Sequence, residues 1–142
     1  MQKREAIVRE IEKRMSEVIA NVYRNPDHVP SKDDLPMISI IELNCDVDET
    51  DQRGGKPRYK RTLRLVIEVF ITGTSDDLAT RELMEKHAEV RRELYADPVA
   101  LGLNAIVEEA GDSRVFRPES GSHIAGVGTT VLIRYVEDTS QL

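Results

Sequence analysis

The densest chemistry-bearing stretch of the chain is a run of cations. Arg53, Lys56, Arg58, Lys60, Arg61 and Arg64 fall within a dozen residues, with Tyr59 between them. Clustered Lys and Arg neutralise phosphates, and the binding they give weakens with salt. The same cluster suits a contact patch for an acidic protein partner, or a charged strand edge that discourages aggregation. Composition bears on the choice. With 20 Lys and Arg against 26 Asp and Glu the net charge is −6, so free nucleic acid is repelled on average. No specific nucleic-acid partner is expected.

Other chemistries find less support in the residue pattern. Asp46-x-Asp48-x-Thr50 opens like a calcium loop, but Asp51 stands where the tight turn needs Gly and Pro57 where a bidentate Glu belongs. His28, His87 and His123 are far apart and in no metal-ligand spacing. Cys45 is the single cysteine, which excludes an internal disulfide and reads as a small buried hydrophobe. No nucleophile elbow or phosphate-binding Gly-Lys-Ser/Thr loop is present. Gly121-x-x-x-x-Gly126-Val-Gly128 lacks the following Lys and leads into a strand rather than a helix. The expectation is a protein with no catalytic residues, no metal and no cofactor.

These residues need elements to hold them. Residues 3–23 place Ile7, Val8, Ile11, Met15, Val18, Ile19 and Val22 at spacings of three and four, the stripe of an amphipathic helix that Asn25-Pro26 ends. Residues 37–45 are β-branched and read as a strand, with Ile38 and Ile40 opposed by Ile41 and Leu43. A strand apolar on both sides is usually central or covered on both sides. Residues 46–57, punctuated by Gly54-Gly55 and Pro57, read as a flexible hairpin loop.

The clearest strand is 58–71. Tyr59, Leu63, Leu65, Ile67, Val69 and Ile71 share one side with Arg61, while Arg58, Lys60, Thr62, Arg64, Glu68 and Phe70 share the other. Gly73 breaks it. Thr74 or Ser75 caps a second helix that presents Leu83, His87, Val90 and Leu94 on one side, and Asp97-Pro98 and Gly102 stop it. Residues 104–109 read as a strand, 110–125 as loop with an extended piece at 114–117, and 127–136 as a closing strand. The ends, 1–4 and 138–142, are expected to fray.

The expected fold class is therefore α+β. It is an antiparallel-rich sheet of about four to five strands with two main helices on one side, in the order α-β-β-α-β-β. At 142 residues this is one domain, 1–142, able to bury an aliphatic core without staples. The longest apolar run, 65–71, contains Glu68 and is far short of the roughly 20 residues a membrane span needs. The opening MQKREAIVREIEKRM has no apolar signal region, so a cytoplasmic location and no membrane partner are expected.

The amphipathic opening helix, the strand Leu63–Ile71 ending at Gly73, the helix with Leu83, Val90 and Leu94, the run Asp97-Pro98-Val-Ala-Leu101-Gly102 and the closing Ile133-Arg134-Tyr135 together resemble the tail-terminator family of long-tailed phages, the lambda U-type minor tail proteins. The resemblance spans residues 5 to 137, with 46–57 and 118–128 the least comparable parts. It implies a structural virion or prophage protein. Such subunits form a ring, a hexamer when assembled though monomeric when free, on the end of a tail tube, stop its polymerisation and join head to tail. The implied partners are other copies of the chain, the tube protein and a head-completion or neck protein. The implied places are the host bacterial cytoplasm during assembly and then the virion tail. The cation run would then be the assembly surface. Two readings remain beside it: another phage neck or tail component, and a small α+β nucleic-acid-associated or regulatory binding domain.

Overall fold

The computed structural model describes residues 2–28, 30–73, 77–96, 104–112 and 124–139, without the side chains of residues 53 and 77–79. In chain order the elements are α1 (Lys3–Val18), β1 (Val22–Arg24), a 3-10 turn (Lys32–Asp34), β2 (Met37–Arg53), β3 (Lys56–Thr72), α2 (Asp77–Tyr95), β4 (Ile106–Asp112) and β5 (Ile124–Asp138). The strands form one sheet in the order β1-β2-β3-β5-β4. Only the β1–β2 pairing is parallel. The α+β class and the antiparallel-rich sheet with two helices on one side are as expected.

One cluster of aliphatic side chains joins the layers. Ile7, Val8, Ile11 and Met15 of α1 and Leu83, Val90 and Leu94 of α2 meet Ile38, Ile40, Leu63, Leu65, Ile67, Val69, Val131 and Ile133 of the sheet, all fully buried. Strict period-two alternation on β3 puts its odd-numbered residues from Leu63 to Ile71 into this core. On β5, Val127, Thr129, Val131, Ile133 and Tyr135 stand opposite Val69, Ile67, Leu65, Leu63 and Arg61, so they share that side of the sheet.

Three expectations are corrected. The first helix does not run to residue 23: it stops at Val18, where Ile19 turns extended (φ −137°, ψ 124°). Val22–Arg24 then forms a strand, held by Ile38 N–H donating to the Asn21 carbonyl (2.9 Å) and Asn25 N–H donating to the Ile40 carbonyl (2.8 Å). The apolar period misleads there because β-branched Ile19 and Val22 meet the core from an extended chain as well as from a helix.

Second, 46–57 is not a loop. β2 runs to Arg53, β3 starts at Lys56, and a two-residue turn joins them. Gly54 (φ +60°) and Gly55 (φ +78°) supply the positive φ at both central positions that such a tight hairpin turn requires. Third, Lys3, Arg4 and Asp138, expected to fray, belong to α1 and β5. Lys3 Nζ donates to the Val136 carbonyl (3.3 Å), and Asp138 pairs with Arg58 in the β3–β5 ladder. The last two strands also run longer than read, from 106 to 112 and from 124 to 138.

Three β-bulges interrupt the ladders. They fall between Glu42 and Asn44, between Val47 and Glu49, and between Glu109 and Gly111. All three lie on β2 and β4, strands with an unpaired side, whereas internal β3 and β5 pair without a slip. Bulges on exposed edges bend the strand and discourage pairing with another chain.

Candidate functional site

The cation run maps onto the distal part of the β2–β3 hairpin. β1 pairs only with Ile38–Ile40, and the core ends at Leu63 on β3. Beyond that point, among the described residues, the hairpin pairs with β5 alone, as far as Asp138 opposite Arg58. Alternation places Arg58, Lys60 and Arg64 on the side away from the helices and Arg61 on the helix side, as the pattern predicts. Lys56 flanks the turn and is exposed, and Arg53 occupies the paired position across from it.

Three of these cations are matched by acids. Arg58 donates from Nε and Nη2 to both carboxylate oxygens of Asp51, each at 2.9 Å. That pairing raises the Arg58 guanidinium above its ordinary value. Lys60 Nζ meets Glu49 at 3.0 Å. Arg61 Nε donates to Glu137 at 3.0 Å, and its guanidinium lies 5.4 Å from the centre of the Tyr59 ring. Among the described residues, Arg64 and Lys56 make no ion pair.

The distal hairpin is thus a ladder of opposite charges rather than a free basic strip. A phosphate backbone would have to displace Asp51, Glu49 and Glu137 to reach these cations. Sequence reading missed those acids as partners, although the signal is present: Glu49 and Asp51 mirror Lys60 and Arg58 about Gly54-Gly55. Asp48, once considered for calcium, instead accepts a hydrogen bond from the Thr62 hydroxyl.

The ladder leaves apolar side chains uncovered. Leu43 is 52% exposed and Val47 48% exposed, and both sit at the β2 bulges. β2 is nonetheless central between β1 and β3 at Ile38–Ile40, as its pattern suggests, and Met37 and Ser39 on the side away from the helices are buried; Leu43 at the bulge is the part that is left uncovered. Cys45 is half-buried, its Sγ 3.4 Å from the Tyr135 hydroxyl, and burial raises that phenol above its ordinary range.

A second polar cluster pins the root of the hairpin to α1. Arg24 donates to Glu42 (3.1 Å) and to Glu5 (2.7 Å), and Arg4 reaches Glu42 at 3.4 Å. Asn25 contributes through its side chain, donating to the Glu42 carboxylate (2.6 Å) and accepting from the Glu42 N–H (2.9 Å). Hydrogen bonding to Arg24 holds the Glu5 carboxyl down at about 2. Burial pushes Glu42 up, but Arg24 and Asn25 outweigh it and keep its carboxyl below the usual value.

His87 is buried, as its place on the apolar stripe of α2 suggested, with Nε2 2.5 Å from Thr129 Oγ1 and 3.3 Å from Asp112. Thr129 also donates to Asp112 at 3.0 Å. Hydroxyl and carboxylate both address the same ring nitrogen, so the acid does not orient the imidazole from behind as a nucleophile–base relay requires. The cluster fastens α2 to β4 and β5. Among the described residues no group of His, Cys, Asp and Glu has metal-site geometry, and no helix is long and apolar enough to cross a membrane. Thr74, Ser75, Asp97-Pro98, Gly102, 114–117, Gly121 and His123 lie outside the described residues.

No protein-family model matches the chain, and no curated protein matches it in sequence. Among solved structures it is similar to the sheath/tube terminator, in the extended state, of an extracellular contractile injection system (PVC). The TM-score is 0.45 and the identity 13%, and the match covers 94% of this chain and 58% of that one.

Proposed function

We propose that the protein is a non-enzymatic assembly component of a phage-type tail, a terminator that caps the tube as a ring and offers the head-joining surface. The observation that carries this reading is the β2–β3 hairpin, two strands of 17 residues whose distal part stands beyond the helices. Its distal strands are matched by a ladder of opposite charges rather than by a core, and its uncovered Leu43 and Val47 suit contact with protein. The family pattern of the opening helix, of Leu63–Ile71 and of Ile133-Arg134-Tyr135 supports the same reading.

The proposed assembly surface is the hairpin region with Arg53, Lys56, Arg58, Lys60, Arg61 and Arg64. The ladder on it favours a protein over DNA as the partner. Edge-to-edge extension of the sheet is disfavoured, because Asp46, Asp48, Glu49 and Asp51 on β2 would face Glu108, Glu109 and Asp112 on β4 of the next copy. A head-to-tail contact through the hairpin, closing by rotation, would give the ring. Electron microscopy of polymerising tube protein mixed with this chain tests the proposal. Tubes that stop growing and carry a ring at one end are expected; tubes of unchanged length with bare ends would overturn it.

A further inference from the structure

The sheet side away from the helices carries a charge pattern that is complementary to itself. Arg64 and Glu68 both point there from β3, and among the described residues neither has an ion pair or hydrogen bond, although both are partly buried. They are separated by roughly 13 Å, four residues at about 3.3 Å each, with Val66 midway. Ile41, Phe70 and Leu132, all half-buried, lie on the same side around them. Two such surfaces laid face to face about a two-fold axis through Val66 bring Arg64 of each copy to Glu68 of the other.

We infer that this sheet side is a docking surface for a second copy of the chain, paired by reciprocal Arg64–Glu68 contacts across Val66. Sheets packed face to face lie about 10 Å apart, a gap that Arg and Glu side chains span together. An isologous contact of this kind sets the same surface of each copy against the other and closes at two copies, so it differs in symmetry from the head-to-tail ring contact, with which it shares Arg64. Burial already pushes the Glu68 carboxyl up in the single chain, which is the condition a facing guanidinium relieves.

Sedimentation equilibrium over a dilution series, together with site-specific cross-linking, tests the inference without the tube protein. The full chain is expected to dimerise. Arg64→Glu or Glu68→Arg alone should weaken the dimer on the order of tenfold or more, since each sets like charges face to face. The double variant carrying both changes should restore it. A chain with Cys45→Ser and Val66→Cys should be cross-linked between two copies by a bismaleimide whose reach matches the gap of about 10 Å, which is too wide for a direct disulfide. A chain that stays monomeric throughout overturns the inference. So does a double variant no tighter than the singles, or a Val66→Cys chain that does not cross-link while its circular dichroism is unchanged. Failure of tube capping with an intact dimer would count against the proposed function alone.

Discussion

The two ends of the β2–β3 hairpin are built on different physics. Near the helices, Leu63, Leu65, Ile67 and Val69 are fully buried, and removal of apolar surface from water holds the strands. Toward the turn the cross-strand pairs are Glu49 with Lys60, more than half in solvent, and Asp51 with Arg58, partly exposed. Exposed pairs of that kind contribute little to stability. The proximal end therefore determines whether the chain folds, and the distal end has sequence freedom that its fold does not consume. Residues whose stability role is small but whose charges are matched along a strand are well placed to serve contact instead.

Variants can break or sharpen that contrast. The largest effect is expected at the proximal end. Leu65→Ala should cost about 2–5 kcal/mol in denaturant unfolding, as truncation of a fully buried Leu does. Arg24→Met at the root should cost about 1–2 kcal/mol, through loss of the hydrogen bonds to Glu42 and Glu5.

The same pair gives a pH signature. Glu5 has its carboxyl lowered from 4.5 to about 2 in the folded chain, so its contribution is present above pH 4.5 and is lost as the pH falls toward 2. An acid titration of stability should show that slope in the parent chain, and Arg24→Met should flatten it. At the turn, Gly55→Ala should cost on the order of 1 kcal/mol by forcing a side chain onto a positive φ, with the loss confined to faster amide exchange in residues 46–62. Least of all, Lys60→Ala should change unfolding by less than about 1 kcal/mol. Its effect should instead appear in tube capping. A Lys60→Ala loss as large as that of Leu65→Ala would erase the contrast.

How far the sequence foretold this follows the same division. β3, α2 and β5 were legible because burial imposes a period on them: Leu63 to Ile71 alternate, and Leu83, Val90 and Leu94 recur at helical spacing. β1 was not, because three residues hold no period and Val22–Arg24 is a strand only through its pairing with Ile38–Ile40. Residues 46–53 of β2 were read as loop because their side chains are almost all polar on both sides. Their order comes from partners across the turn, which a search for apolar repeats does not register. The alternation of the cations along β3 was legible, but the pairing of Lys60, Arg58 and Arg61 with Glu49, Asp51 and Glu137 is fixed by the register.

The bulge at Leu43 separates two properties that strands usually tie together. Glu42 stands opposite Leu65 and Asn44 opposite Arg64, so Leu43 is an insertion that the ladder passes over. Asp48 is passed over in the same way between Val47 and Glu49. Deleting either residue would preserve every neighbouring pair while removing a bend. The direction in which the hairpin points is therefore an adjustable parameter of the chain, independent of which residues meet. Chains that need the hairpin to point differently can vary at these two positions and keep the pairs on either side.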